Sequence, residues 1–352
     1  MSHNILVTGA SGYLGGTLLA RWSRAKLPAY HKLYALVRTN EQGEAVKQYG
    51  AEPITFDVKD ETSIMDAIID KKITIVLFLI DAMTSESQVS MIKALGEMRK
   101  QTGQKVHFLH TSGAKIFSNH AGHPTDRPLP DNDPSLYHLQ KTSQAHYVPV
   151  TKALEANNTV IEVAEQYGVK SYIFVPCVVY GKGEGFGNPI SIQTVAIVNA
   201  AKKLGRVYRP DADDHTWPVC HVVDNAALYL EIIRNILSEN SIASGKSGYY
   251  LAASGSVAWN DIYCAMAKEL AKRQVVDKEE VDLVNDQALE QMGVALGCPK
   301  DMVPLFLGGK CTLEAKNGLK IGWKPQYPAD HILEVADKEV DLILDFHQKG
   351  SL

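Results

Sequence analysis

No run of apolar residues in this 352-residue sequence approaches the roughly 18 that a helix needs to cross a bilayer, so no membrane partner is expected. The first apolar run, Ile5-Leu6-Val7, is too short for a secretory signal core, and the cytosol is the expected compartment. Cysteine is scarce. Cys177, Cys220, Cys264, Cys298 and Cys311 are odd in number, widely scattered and without a C-x-x-C pair, which argues against a disulfide framework or a cysteine-ligated zinc site. They read as small buried side chains in a reducing compartment. Charge of one sign is also lacking: the formal net charge is -4, leaving no basic field to attract nucleic acid. Asp211, Asp213 and Asp214 cluster in a predicted loop but lack the distributed ligands of a metal site, so no metal is expected. There is no internal repeat and no low-complexity segment.

What is present is an ordinary globular composition, 45% hydrophobic and 22% charged, arranged in alternating periods. Short β-rich runs at 5–7, 33–37, 53–56, 73–80, 106–109 and 172–175 alternate with helical patterns at 14–24, 62–70, 86–101 and 150–167. Residues Ile73 to Ile80 are apolar but for Thr74, as in a strand buried on both faces of a parallel sheet. The alternation predicts an α/β fold, a Rossmann-type doubly wound parallel sheet over residues 1–181. Beyond 181 the pattern changes. Gly181 to Asn188 holds four glycines and reads as a mobile loop over a cleft, with Asn188 a candidate substrate contact. Helices are predicted at 190–204, 223–237, 258–272 and 286–295, a strand at 249–251, and one amphipathic helix at 329–347. Residues 219–254 are expected to return to the sheet. Residues 182–218 and 255–330 would form a smaller, mostly helical C-terminal substrate lobe, and 331–352 a terminal helix.

The densest signal is Ile5-Leu6-Val7-Thr8-Gly9-Ala10-Ser11-Gly12-Tyr13-Leu14-Gly15-Gly16. Gly9, Gly12 and Gly15 lie between a predicted strand and a predicted helix. There Gly9 permits the tight turn, Gly12 lets backbone approach a pyrophosphate, and Gly15 packs helix on strand. Free N–H groups of Ser11, Gly12, Tyr13 and Leu14 at the helix start would hold the phosphates. The second strand ends Val37-Arg38-Thr39, with no acid to accept from a ribose 2′-OH. Arg38 offers a fork of donors suited to a 2′-phosphate, so NADP(H) is favoured over NAD, the alternative being an unpartnered surface arginine. Asp57, with Val58, is placed either to meet the adenine edge or to cap the following helix. Leu79 and Thr111 end predicted parallel strands, where such sheets bind ligands.

Thr8-Gly9-Ala10-Ser11-Gly12-Tyr13-Leu14-Gly15 resembles the amino end of the extended short-chain dehydrogenase/reductase superfamily, the group of epimerases, dehydratases and carbonyl reductases. The resemblance continues through Phe56-Asp57-Val58, His110-Thr111-Ser112-Gly113-Ala114, Val175-Pro176-Cys177-Val178-Val179-Tyr180-Gly181, Cys220-His221-Val222-Val223-Asp224 and Leu319-Lys320-Ile321-Gly322-Trp323-Lys324-Pro325, in the family's order. It implies that Pro176 and Val178 pass under the nicotinamide. It also implies that His221 and Asp224 tie the last strand to the helix after it, and that a homodimer is possible.

The family's chemistry uses a Tyr with a Lys four residues later, which helical geometry puts on one face, and a Ser or Thr that polarises the carbonyl. Tyr137 and Lys141 have that spacing, but Lys141 lies 35 residues before Pro176, where relatives place their lysine roughly 23–27 before it. Lys152 is 24 residues before Pro176, yet Tyr147 is five residues from it, about 140° around a helix. Pro149 fits a first helical turn, so Tyr147 would precede the helix and escape that constraint. The polariser's position falls on Gly113, or on Ser112 if shifted by one. Ser112, Tyr147 and Lys152 are therefore the candidate catalytic set. The reading is an atypical NADP(H)-dependent oxidoreductase acting on a carbonyl or secondary alcohol of a small or medium organic molecule. An epimerase or dehydratase, a non-catalytic NAD(P)-binding regulator and a non-redox isomerase or cyclase stay open.

Overall fold

The computed structural model describes residues 2–350. Strands and helices alternate from the start: β1 (Asn4–Val7), α1 (Tyr13–Trp22), β2 (Lys32–Leu36), α2 (Asn40–Lys47), β3 (Glu52–Ile54), α3 (Glu61–Asp70), β4 (Ile73–Phe78), α4 (Glu86–Thr102) and β5 (His107–Thr111). After a 3-10 turn at Ala114–Phe117 come β6 (Leu129–Pro130), α5 (Leu136–Thr142), α6 (Val148–Tyr167), β7 (Lys170–Pro176) and β8 (Val178–Tyr180). The second half contains α7 (Gln193–Leu204), β9 (Val207–Arg209), β10 (Thr216–His221), α8 (Val222–Leu237), β11 (Tyr249–Ala252), β12 (Gly255–Ala258) and α9 (Trp259–Lys272). It closes with β13 (Val281–Leu283), α10 (Asp286–Leu296), α11 (Val303–Leu307), β14 (Leu313–Glu314), α12 (Asn317–Lys320), α13 (His331–Glu334) and α14 (Ala336–Gln348).

Seven strands form one parallel sheet in the order β11-β7-β5-β4-β1-β2-β3, the doubly wound arrangement with its switch point beside β1. Alternation sorts the strand residues onto two cores. Ile5, Val7, Leu33, Ala35, Ile75, Leu77 and Leu109 face one layer with α1 and α8. Leu6, Tyr34, Leu36, Val76, Phe78 and Phe108 face the other with α3, α4 and α6. After β10, α8 covers the sheet and β11 joins its edge beside β7.

The chain beyond residue 181 holds more β structure than its periodicity predicted, and its short strands pair in part with β6 and β8 from the first half. β8, β10 and β12 make a three-stranded sheet, and β9 with β13 and β6 with β14 make two-stranded ones. These strands are two to six residues long, too short to print a clear period. Asp131 fastens the β6–β14 pair to the main sheet. It is fully buried and accepts from the backbone N–H groups of Leu251, Lys316 and Asn317, each at 2.8 Å. The single terminal helix expected at 329–347 is two helices, because Val335 leaves helical geometry at φ -108, ψ 18. The helix after β3 is capped by Asp60, whose side chain accepts from Thr62 N, and not by Asp57.

Candidate functional site

Thr8 continues β1 into the turn, donating its N–H to Leu77 O at 3.0 Å and accepting Leu79 N on its hydroxyl at 2.9 Å. Gly9 then takes φ +70, and a Cβ there would stand 2.9 Å from Leu79 O. A Cβ on Gly15 would stand 2.2 Å from Gly9 O, so the first turn of α1 lies directly on the strand end. Gly12 is the N-cap of α1. It supplies no side-chain cap, and the first turn carries no acidic residue. The orphan N–H groups and the positive end of the helix dipole are thus left for an external anion. These residues fit a dinucleotide's pyrophosphate.

The glycine loop after β8 does not span a cleft as a mobile flap. It is clamped along the phosphate loop. Asn188 N donates to Ser11 O at 3.0 Å, Tyr13 OH to Gly181 O at 2.6 Å, and Glu184 N to Thr17 Oγ1 at 3.1 Å, with an Arg21–Glu184 ion pair at 2.8 Å. The glycines are required by closeness: a Cβ on Gly187 would lie 2.1 Å from Ser11 O, and one on Gly185 2.4 Å from Gly16 Cα. Buried Glu339 of α14 holds the loop's start, accepting from Gly181 N at 2.9 Å and Thr194 Oγ1 at 2.7 Å. The Asn188 side-chain oxygen accepts from Ile190 N at 3.0 Å, which fixes the amide on its own turn.

At the adenosine end, Arg38 is exposed at the close of β2, and among the described residues its guanidinium forms no ion pair. Its backbone N–H donates to Gln42 Oε1 at 2.9 Å, and Gln42 Nε2 reaches Ser11 Oγ at 3.5 Å. Gln42, unremarked in the sequence, therefore joins the two cofactor segments. Asp57 is exposed and accepts from Lys59 N at 2.9 Å, while Val58 O accepts from Ser87 Oγ at 2.7 Å.

A cavity of about 330 Å3 opens at the carboxyl ends of β5 and β7, beside the start of α1. Tyr13 and Leu14 form one wall, Ser112, Gly113 and Lys115 a second, and Pro176, Cys177 and Val179 a third. Val178, expected under the nicotinamide, is instead 1% exposed in the core, since strand alternation in β8 turns its neighbour Val179 to the cavity. Ser112 is pinned by donating its N–H to Phe174 O at 2.8 Å, and its buried hydroxyl has no protein partner. Thr111 turns away, its hydroxyl bonded to Tyr229 OH at 2.7 Å.

The expected Tyr and Lys do not reach this space. Tyr147 is the N-cap of α6, and Pro149 opens the helix as its position predicted. The Tyr147 ring packs edge-on against His120 at 5.5 Å, and Lys152 is exposed to solvent; neither lines the cavity. Tyr137 and Lys141 both bond Glu162 on the surface, the tyrosine at 2.6 Å. The α6 residues that do line the cavity are Pro149, Val150 and Ala153. Pro149 and Ala153, four apart, share the helix face that meets the cavity, and neither carries a group that can exchange a proton.

Lys115 escaped the sequence reading. Its Nζ donates to Leu305 O and to Phe306 O, and it stands 5.3 Å from the centre of the Trp217 ring. Among the described residues it has no carboxylate partner, and burial pushes its ammonium down to about 7. The partners come from α11 and β10, far along the chain, so no local spacing could have flagged it.

His221 and Asp224 do the structural work expected of them. His221 caps α8 by accepting from Val223 N at 3.3 Å, and burial holds its imidazole down at about 4. Asp224 accepts from Gln326 N and Tyr327 N at 2.9 Å each, and its carbonyl accepts from Trp323 Nε1 at 2.9 Å. No group of His, Cys, Asp and Glu among the described residues has a metal-binding arrangement, and no described helix is long and apolar enough to cross a membrane.

The fold recurs in solved structures. PbgP3 protein from Burkholderia pseudomallei is 14% identical with a TM-score of 0.64, and the match covers 98% of each chain. UDP-glucose 4-epimerase from Thermotoga maritima is 16% identical at 0.61, covering 97% of this chain and 99% of that one. Vestitone reductase from alfalfa is 18% identical at 0.60, covering 99% of both. None of the curated proteins matches the sequence. The model of the NAD dependent epimerase/dehydratase family matches residues 5–243, and this protein, with its NAD(P)-binding Rossmann fold, belongs to that family.

Proposed function

We propose that the protein is an NADP(H)-dependent oxidoreductase that interconverts a carbonyl and a secondary alcohol on an apolar small or medium organic molecule. The observation that carries this reading is the cavity, which adjoins the α1 N-terminus and holds the unpartnered Ser112 hydroxyl at the carboxyl end of β5. Gly9, Ser11, Gly12, Tyr13 and Leu14 would hold the pyrophosphate, and Arg38 a 2′-phosphate. Asp57 and Val58 would flank the adenine, and Leu79, Pro176 and Val179 the nicotinamide half. Bound there, the nicotinamide supplies or accepts a hydride. Ser112 Oγ would donate to the substrate oxygen and orient it. Met83 and Ile192 line the cavity and remain exposed, which supports an apolar substrate over a charged nucleotide sugar.

Equilibrium titration with NADPH and NADH tests the cofactor, and a panel of aromatic and aliphatic carbonyls tests the reaction. Arg38→Ala should weaken NADPH about tenfold or more and leave NADH unchanged. Equal affinity of the wild type for both cofactors would sink the NADP(H) assignment. Pro149 and Ala153 favour a second reading, an NAD(P)-binding regulator without turnover. NADPH binding with no carbonyl reduced would decide for it.

A further inference from the structure

We infer that Lys115 is the proton donor and acceptor of this active site, standing in for the family's Tyr–Lys pair. The inference rests on the oxidoreductase reading above and names the group that reading lacks. Reduction of a carbonyl needs a proton on oxygen as well as a hydride on carbon, and the usual source is absent where Pro149 and Ala153 face the cavity. Among the residues lining it, Lys115 is the one with an ammonium, and it shares a wall with Ser112, three residues earlier, on the turn that leaves β5.

Three features of the Lys115 environment suit it to the task. Its Nζ is fixed by the carbonyls of Leu305 and Phe306 on α11, so two of its N–H bonds are anchored and a third is free for a substrate oxygen. The Trp217 face stabilises the cation without quenching it as a carboxylate would. Desolvation places its titration near neutrality, where an amine both gives and takes a proton efficiently. In the reductive direction the carbonyl carbon gains hydride from the bound cofactor. A Lys115 N–H bond breaks, an O–H bond forms on the former carbonyl oxygen, and the neutral amine regains its proton from water at the cavity mouth. The oxidative direction is the reverse, with the amine taking the hydroxyl proton.

The test combines a titration that needs no turnover with one that does. Pulse acetylation with acetic anhydride, read by peptide mass spectrometry across pH, should give Lys115 a midpoint near 7. NADPH oxidation by the probe 9,10-phenanthrenequinone should fall about a hundredfold or more in Lys115→Met. Lys115→Arg, which keeps the charge but cannot release a proton, should fall equally. Both variants should bind NADPH within about threefold of wild type by fluorescence quenching, and wild-type reduction should decline above pH 7. A Lys115 midpoint near 10, or a Lys115→Met variant that reduces the quinone at the wild-type rate, overturns the assignment. Loss of NADPH quenching in the wild type overturns instead the cofactor reading beneath it. A wild type that binds NADPH and leaves the quinone unreduced refutes the oxidoreductase reading and the Lys115 assignment with it.

Discussion

Lys115→Met should make the protein more stable at pH 7 and below, with a gain that shrinks as pH rises above 7. At pH 7 the unfolded chain carries this residue as a fully solvated ammonium, whereas the folded site titrates it at about 7 against an ordinary 10.5. At about 1.4 kcal/mol per pH unit, that interval means the lysine opposes folding by about 4 kcal/mol at pH 7. Methionine keeps the length and the packing against Trp217 but leaves the Leu305 and Phe306 carbonyls without their donor, a loss of about 2 kcal/mol. The net gain is about 2 kcal/mol, or about 3 °C in Tm for a 352-residue chain. The sign of the pH dependence follows. Between about 7 and 10.5 the unfolded state binds the extra proton, so wild-type stability rises with pH across that window and the variant's gain shrinks. Urea unfolding of both proteins at pH 7, 8.5 and 10 measures the difference, in which all other titrations cancel. A variant less stable than wild type at pH 7, or a difference that stays constant to pH 10, would refute the reasoning.

Gly187→Ala would drive a Cβ to within 2.1 Å of Ser11 O, with backbone on both sides and no side chain to yield. It should cost about 1–3 kcal/mol and weaken NADPH about tenfold, and an unchanged dissociation constant would show that the clamp does not shape the phosphate loop. Acid should destabilise the fold as pH falls from about 6.5 toward 4. Burial holds His107 at about 3 and His110 and His123 at about 4, so the stability these neutral rings provide above 6.5 is lost as pH falls toward 4. Asp131, raised by burial to about 6, has the opposite slope and offsets part of this. The net loss at pH 5 is on the order of 4 kcal/mol, and identical urea midpoints at pH 5 and 7 would contradict it.

The sheet and the phosphate loop were legible because they rest on short-range necessities. Gly9 needs a positive φ, Gly15 has a carbonyl oxygen where its Cβ would be, and β4 is apolar because both its faces are covered. Pro149 likewise announced the start of α6 through its own missing N–H. The reacting end was not legible, for two different reasons. One is register. Moving by a residue exchanges Val178 for Val179, and on α6 the cavity selects Pro149 and Ala153 while Lys152 faces solvent. The other is distance along the chain. Lys115 looks like any surface lysine until α11 and Trp217 close over it from about 100 to 190 residues downstream.

Glu339 lies thirteen residues before the end of the chain, yet it holds the Gly181 N–H that begins the clamp over Ser11 and Gly16. During synthesis the first glycine-rich turn therefore emerges more than three hundred residues before its outer wall can be secured. The strand and the helix can form early, but the clamp over them is complete only once α14 has packed against Gly181.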